Sequence, residues 1–304
     1  MKFHIINKQK IFSKTPLKKI ILENFCRENG KFFYSIEVTP KEETKIDFTK
    51  LKIQPLFVDI TWIKNFNLIT PIEDAPALKL ANEIKSTHVV NSVTCYGLED
   101  HHIEKVLRSE LKLKNFTVLR GDYVDSEQKY KFANELIKEI RRRTSSEEVT
   151  IFCAGYPNTH NEAVNADEDL QNLKRKVESG VDAILTQVVF SSSKFVDFIK
   201  NCRRVGISQD IPIIPGLYIP FNFNELNLML NIAKVKLDHG IYQSFEQLKD
   251  NNEEFKTFSL NFMIKVISEI QETSPEFIRG FHFFTLNNFE MVEKLIEIVN
   301  FSEM

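Results

Sequence analysis

The sequence predicts a closed (β/α)₈ barrel that forms a single domain over residues 1–304. A short β-branched or aromatic run, followed by a longer stretch with helical periodicity, recurs eight times over about 250 residues. No linker rich in Gly, Ser or Pro interrupts this series, so we expect no domain boundary. An open doubly wound sheet is the alternative architecture, but no GxGxxG segment follows any of the predicted strands.

Each predicted strand is a largely apolar run, as expected of parallel strands that are covered by helices on their outer face. The eight strands are predicted to end at Val38, Trp62, Cys95, Arg120, Tyr156, Phe190, Tyr218 and Phe284. Apolar residues three and four positions apart indicate helices within 129–143 and 167–180. Asp167 and Asp169 mark a helix start, and Gly180 and Gly206 mark helix ends. A short N-terminal extension and a helix precede the first strand, and we expect no regulatory domain.

Composition excludes several classes of protein. The net charge of −2 gives no basic surface typical of nucleic-acid binding. The sequence contains no apolar run of the roughly 18 residues that a membrane span requires, and its start lacks the apolar core of a signal peptide. Four widely spaced cysteines are predicted to be reduced core thiols, which favours a cytoplasmic protein; they are Cys26, Cys95, Cys153 and Cys202.

Polar side chains cluster at the predicted strand ends, where a barrel of this class has its active site. A barrel interior favours bulky apolar residues, so buried polar groups there need hydrogen-bond partners or a ligand. Each of these residues alone is explained equally well as a structural residue, but together they predict a binding site. They are Glu37, Thr39, Asp59, Thr61, Thr94, Arg120, Gly121, Asp122, Tyr156, His160, Gln187, His282 and Thr285.

Six segments resemble the signature blocks of the methylenetetrahydrofolate reductase family, in the family's order and spacing. They are LRGD (119–122), AGYPNTHNEA (154–163), DLQNLKRKVESG (169–180), TQVVF (186–190), IIPGLYIP (213–220) and FHFFTLN (281–287). The ITW segment at 60–62 resembles the eukaryotic branch. Each block alone is a weak signal, but six in order are a strong one.

The resemblance implies an FAD-dependent oxidoreductase of one-carbon metabolism and methionine biosynthesis. Family members reduce 5,10-methylenetetrahydrofolate to 5-methyltetrahydrofolate with NADPH or NADH. Hydride passes first to the flavin and then to the folate in ping-pong turnover. The expected partners are therefore a folate and a nicotinamide nucleotide, and association into a homo-oligomer is left open.

Three positions match the residues that act on folate. Glu37 matches the acid that protonates nitrogen-10 as the folate ring opens, and an apolar mouth would help it to hold a proton near neutrality. Asp122 matches the aspartate that faces flavin and pterin, where a carboxylate stabilises the iminium cation. Gln187 matches the glutamine that bonds the pterin. The simpler interpretations are a strand-closing Glu, a turn Asp and a Gln bonded to backbone.

The resemblance also assigns residues to FAD, and two of these lie seven positions apart on one predicted helix. Asp169 and Lys176 would share a face, which suits ribose and phosphate. Without the resemblance, a solvated Asp and Lys would be the preferred interpretation. The full FAD set is Thr61, Trp62, Ser92, Arg120, Gly121, Asp122, Phe132, Ala133, Tyr156, His160, Ala163, Asp169 and Lys176.

Three positions depart from the family pattern. Ser92 stands where the family has a histidine, and Phe284 and Asn288 stand where the family has a Tyr and an Arg. The resemblance implies that Phe284 and Asn288 bind the substrate. The loop after Trp62 also lacks the family's glycines. These departures keep two other interpretations open. One is a related FAD barrel such as a proline dehydrogenase, and the other is a catalytically weak or silent barrel that binds flavin or folate.

Overall fold

The computed structural model describes residues 2–8, 15–25, 28–62, 72–108, 113–145 and 147–301. Eight parallel strands close into a barrel in the order β10-β2-β4-β5-β6-β7-β8-β9, which confirms the predicted (β/α)₈ architecture. The barrel strands are β2 (Phe33–Val38), β4 (Phe57–Ile60), β5 (His88–Thr94), β6 (Asn115–Leu119), β7 (Thr150–Gly155), β8 (Ala183–Val188), β9 (Ile213–Tyr218) and β10 (Gly280–Phe284). Outside the barrel, β1 (His4–Ile6) pairs in parallel with β3 (Lys45–Asp47).

All eight predicted strands occur, but several are shorter at their carboxyl ends than the apolar runs suggest. β4 ends at Ile60, two residues before Trp62, and β8 ends at Val188, two residues before Phe190. Trp62 and Phe190 are both buried. They are apolar because they pack at the rim of the barrel, although they lie beyond the hydrogen-bonded strands. The loop that follows Trp62, with its missing glycines, lies mostly outside the described residues.

Helices cover the outer face of the barrel, and local capping sets their starts. Asn165, Asn222 and Asn251 each accept a hydrogen bond from the backbone N–H three residues ahead, which satisfies a free donor of the first turn. The helices are α1 (Leu17–Phe25), α2 (Pro76–Glu83), α3 (Asp100–Arg108), α4 (Ala133–Arg143), α5 (Ala166–Glu178), α6 (Ser192–Arg204), α7 (Phe223–Ala233), α8 (His239–Gln247), α9 (Asn252–Thr273) and α10 (Glu290–Ile298).

Gly180 and Gly206 follow α5 and α6 with φ of +112° and +88°, a conformation that favours glycine. They confirm the predicted helix ends. The predicted start at Asp167 lies one residue inside α5, because Asn165 is the capping residue. Among the described residues, no helix has both the length and the apolar character that crossing a membrane requires.

Aromatic rings fill the centre of the barrel below its carboxyl end. Phe57 of β4 contacts Phe152 of β7 at a ring distance of 5.2 Å, although these strands are not neighbours, so both rings point inward. His282 stacks on Phe57 at 6.0 Å, and its Nδ1 lies 2.8 Å from the Ser35 hydroxyl. Burial lowers the pKa of His282 to about 3, so the ring is neutral. These residues form the floor of the site above them.

The described cysteines Cys95, Cys153 and Cys202 are buried and free, as predicted. Burial raises the pKa of each thiol, which keeps it in its unreactive protonated form. Cys26 lies outside the described residues.

Candidate active site at the mouth of the barrel

A cavity of about 370 Å³ opens at the carboxyl ends of the barrel strands, and most of the polar rim residues predicted from the sequence line it. Its size falls in the range of small-molecule sites, where a few placed polar groups orient a ligand within largely apolar walls. The lining residues include Glu37, Asp59, Thr61, Trp62, Ser92, Thr94, Thr117, Arg120, Gly121, Asp122, Tyr156, His160, Gln187, His282 and Phe284.

Glu37 lies near the end of β2 and is buried, with 5% of its surface exposed. Its carboxyl group accepts three hydrogen bonds. Oε1 accepts from the Thr39 hydroxyl at 2.5 Å, and Oε2 accepts from the backbone N–H groups of Thr285 and Leu286 at 3.1 Å each. The Thr285 hydroxyl in turn donates to the Glu37 carbonyl at 2.7 Å. The segment after β10 therefore fixes Glu37 in one orientation, with its head group at the cavity wall.

Asp59 is a second buried carboxyl in the same wall. It lies opposite Glu37 in the register between β2 and β4 and is 5% exposed. Its Oδ1 accepts from the Ser92 hydroxyl at 3.0 Å, and its Oδ2 accepts from the Thr117 hydroxyl at 2.8 Å. Burial raises the pKa of Asp59 to about 7, and the charge of Glu37 adds to that rise, against the lowering effect of the two hydroxyl donors.

The loop after β6 presents Arg120, Gly121 and Asp122 to the cavity. Gly121 has φ of +87°, and a Cβ atom there would lie 3.0 Å from the Cβ of Thr94, so glycine lets the loop approach β5. Arg120 pairs with Glu162 at 2.5 Å. The Asp122 carboxylate is exposed and has no hydrogen-bond or ion-pair partner among the residues that the structure describes.

Gln187 of β8 and Phe284 of β10 also line the cavity. The register of β8 against β9 shifts between Leu185 and Val188, and this irregularity places Gln187 in the cavity wall. Its Oε1 accepts from the Val188 N–H at 2.8 Å, which leaves the amide nitrogen as the donor of the side chain. Phe284 also lines the cavity and makes an edge contact with His282 at 5.1 Å.

Asn288 does not line the cavity. Its amide nitrogen donates to Glu225 of α7 at 3.3 Å, and Glu225 also accepts from the Tyr218 hydroxyl at 3.3 Å. Burial raises the pKa of Tyr218, so the phenol stays protonated. The position at which the family carries an arginine is thus occupied here by a residue that links β10 to α7.

The residues assigned to FAD by resemblance extend from the cavity toward α5. The Lys176 amine lies 5.4 Å from the centre of the Tyr156 ring and donates to the Ala154 carbonyl at 2.5 Å. Asp169 accepts from the His160 backbone N–H at 2.9 Å. Burial raises the pKa of Asp169, against the lowering effects of this bond and of Lys176. Both α5 residues therefore face the loop after β7, as their spacing predicted.

The remaining assigned residues fall into two groups. Thr61, Trp62 and Ser92 line the cavity. Outside its lining, Phe132 precedes α4 with 57% of its surface exposed, Ala133 begins that helix and is buried, and Ala163 is half-buried in the loop before α5.

Sequence reasoning treated Asp59 only as one polar residue of the rim and did not identify Thr117. The signal for Asp59 was available, because an aspartate inside the otherwise apolar FVDI run must be buried. Its pairing with Glu37 and with the two hydroxyls depends on strand register, which the sequence did not fix.

Comparison with known proteins places the chain among folate enzymes. The family model described as methylenetetrahydrofolate reductase matches residues 22–300. The chain is 28% identical to 5,10-methylenetetrahydrofolate reductase of Escherichia coli, covering 88% of this chain and 91% of that protein. It is 27% identical to methylenetetrahydrofolate reductase (NADH) 1 of Arabidopsis thaliana, covering 86% of this chain. It spans about half the length of that plant protein, 47%.

A solved structure shares the fold. It is an uncharacterised protein from Clostridium thermocellum, described as binding two copies of 5-methyl-5,6,7,8-tetrahydrofolic acid. The two proteins align with a TM-score of 0.62 at 11% identity, covering 93% of this chain and 100% of the other. At this identity the likeness supports the barrel fold alone.

Proposed function

The chain belongs to the methylenetetrahydrofolate reductase family, and we propose that it reduces 5,10-methylenetetrahydrofolate to 5-methyltetrahydrofolate with FAD and a nicotinamide nucleotide. One observation carries this proposal beyond family membership. Glu37, Asp122 and Gln187, which resemble the acid, the aspartate and the glutamine of the family, line one cavity although they come from three separate strand ends.

The residues around the cavity fit an extended flavin nucleotide. The cavity offers room for the ring system, and the side chains beyond it suit the remainder of FAD. Lys176 and Arg120 provide two cations for a pyrophosphate, and Asp169 provides a carboxylate for ribose hydroxyls. Gly121 allows close approach of the loop backbone. When bound, FAD would accept hydride from the nicotinamide and pass it to the folate in a second, separate half-reaction.

Glu37 is proposed to act as the general acid. The folate ring opens when nitrogen-10 leaves, and nitrogen-10 must take up a proton as its bond to the bridging carbon breaks. The three hydrogen bonds to Glu37 hold its carboxyl group in place, so that the proton is presented from a fixed point of the cavity wall. The aromatic floor excludes water from below.

Asp122 and Gln187 are proposed to orient and stabilise the opened folate. Loss of nitrogen-10 leaves a positively charged iminium, and a carboxylate beside it lowers the energy of that cation. The Asp122 carboxylate, which is exposed and unpartnered among the described residues, is available for this contact. The free amide donor of Gln187 suits an acceptor atom of the pterin.

The electron donor is proposed to be NADH or NADPH. NADH is the first choice for assay, because the Arabidopsis relative is named as an NADH enzyme. A cytoplasmic location and assembly into a homo-oligomer remain predictions.

An anaerobic titration of the purified, FAD-loaded protein tests the proposal. NADH or NADPH should bleach the flavin absorbance, and methylenetetrahydrofolate should restore it while 5-methyltetrahydrofolate appears in equal amount. Proline, tested in parallel as the reductant, distinguishes a proline dehydrogenase. Bleaching by proline but not by a nicotinamide would contradict the proposal. Flavin that no donor bleaches would favour the catalytically silent barrel.

A further inference from the structure

We propose that Asp59 is a positioning residue for proton delivery: it shares one proton with Glu37 and passes that proton to Glu37 for each delivery to the folate. This inference rests on the proposed function, and it concerns a carboxyl that neither the resemblance nor the family comparison assigns to the site. Three observations carry it: the register that places the two carboxyls side by side, their common burial, and the hydroxyl partners of Asp59.

The strand register places the carboxyl groups of Glu37 and Asp59 side by side in the cavity wall. Glu37 and Asp59 are directly paired across adjacent parallel strands, and both side chains line the same cavity. Neighbouring strands lie about 4.8 Å apart, so the two groups leave the backbone at that separation. Each residue is only 5% exposed, which limits the screening of their charges by water. Two carboxylates held in this way resist ionising together, and the pair holds its last proton as a unit.

The partners of Asp59 suit a group that changes its charge. Ser92 and Thr117 donate hydroxyl bonds to it, and a hydroxyl can also turn to accept a bond when Asp59 is protonated. An arginine or lysine in their place would keep the aspartate ionised. Ser92 is thus suited to this role at the position where the family pattern has a histidine.

Among the charged groups of the cavity, Glu37 is the one that affects the pKa of Asp59. Burial raises the pKa of Asp59 to about 7, and Glu37 contributes to the rise. His282 of β10, the strand beside β2, is neutral because burial lowers its pKa to about 3. The other charged or titratable groups of the cavity lie beyond the strand ends or on its rim: Arg120, Asp122, Tyr156, His160, Tyr96 and Tyr123.

The pair's one proton leaves Asp59, whose O–H bond breaks, and forms a new O–H bond on Glu37. Glu37 gives this proton to nitrogen-10 as the carbon–nitrogen bond breaks. Asp59 then takes the next proton from water in the open mouth of the cavity. Each turnover consumes one proton from solvent, which accompanies the hydride delivered to the folate.

Infrared titration of the flavin-free protein tests the coupling without any turnover. The carbonyl band of a neutral carboxylic acid should disappear with a midpoint near pH 7. In Asp59→Asn, no neutral carboxylic-acid band of the cavity should keep a midpoint near pH 7. In Glu37→Gln its midpoint should fall by about half a unit or more, because the neighbouring charge is gone. A midpoint that Glu37→Gln leaves unchanged would overturn the inference, and so would a band in Asp59→Asn that keeps the wild-type midpoint near pH 7.

Stopped-flow kinetics of the two half-reactions supply the second test. In Asp59→Asn, folate reduction should begin to fall at least about one pH unit lower, since there is then no pair of carboxyls to hold a last proton in common. Flavin reduction by NADH should keep its wild-type pH profile. The matched control is Asp182→Asn, which removes a partly buried carboxyl that is bonded to Arg141 and the Ile151 N–H, outside the cavity. It should leave both profiles unchanged.

The outcomes separate the two proposals. If the wild-type protein reduces no folate, the proposed function fails, while the infrared titration still decides whether the carboxyls are coupled. If the wild-type protein reduces folate and Asp59→Asn has the same folate pH profile, the function stands and the role of Asp59 is wrong.

Discussion

Replacement of Glu37 by glutamine gives the most direct test of the proposed acid. Glutamine has the same size and keeps a carbonyl oxygen that can accept the Thr285 and Leu286 N–H bonds, while the Thr39 hydroxyl can turn to accept from the new amide. Loss of the charge weakens each of the three bonds by about 1 kcal/mol, well below the 5–15 kcal/mol typical of a whole domain. The variant should therefore fold and bind FAD.

The two half-reactions should respond differently to this change. Flavin reduction by the nicotinamide needs no acid for nitrogen-10 and should keep its wild-type rate. Folate reduction should fall by about a hundredfold or more, which corresponds to about 2.7 kcal/mol in activation free energy. Anaerobic stopped-flow absorbance of the flavin measures both rates in the same preparation.

Thr39→Val is the matched control, because it removes one hydrogen bond to Glu37 and keeps the acid. It should lower folate reduction by less than about tenfold, the equivalent of one ordinary hydrogen bond. An equal loss of both half-reactions in Glu37→Gln would refute the reasoning, because the residue would then support the flavin or the fold and not protonate the folate.

Three further predictions concern the charge of the mouth. Asp122→Asn should raise the flavin midpoint potential and slow folate reduction by about tenfold or more, while the rate of flavin reduction stays unchanged. If the potential and the rate of folate reduction are unchanged, Asp122 is only a turn residue. Lys176→Met should weaken FAD binding by about tenfold, or 1.4 kcal/mol, in a flavin fluorescence titration, and equal affinity would exclude a phosphate contact. The raised pKa of Asp59 stabilises the protein below pH 4, and this contribution is lost as pH rises to about 7. In the wild type, the free energy of unfolding should therefore fall by up to about 4 kcal/mol between those pH values, and Asp59→Asn should abolish this fall. Urea unfolding of the variant would contradict the prediction if its free energy of unfolding depended on pH as in the wild type.

The sequence by itself determined the barrel fold and the end of the barrel at which the candidate site lies, the carboxyl ends of the strands. Buried parallel strands need continuous apolar runs and their covering helices need a 3.6-residue period, so both patterns are visible in the residue order. Polar residues such as Asp59 and Gln187 interrupt those runs near their ends, and their cost in an apolar barrel marks them for partners or a ligand. Family blocks then supplied expected roles for Glu37, Asp122 and Gln187.

Tertiary structure decided how these groups are connected. The donors to the Glu37 carboxyl at Thr285 and Leu286 lie almost 250 residues away in sequence and reach it because β10 closes the barrel beside β2. The register of β2 against β4 sets Asp59 beside Glu37, and Asn288 bonds to Glu225 and lies outside the cavity lining. Strand register fixes which side chains meet across neighbouring strands, and it depends on the packing of the whole barrel. No local pattern of residues carries that information.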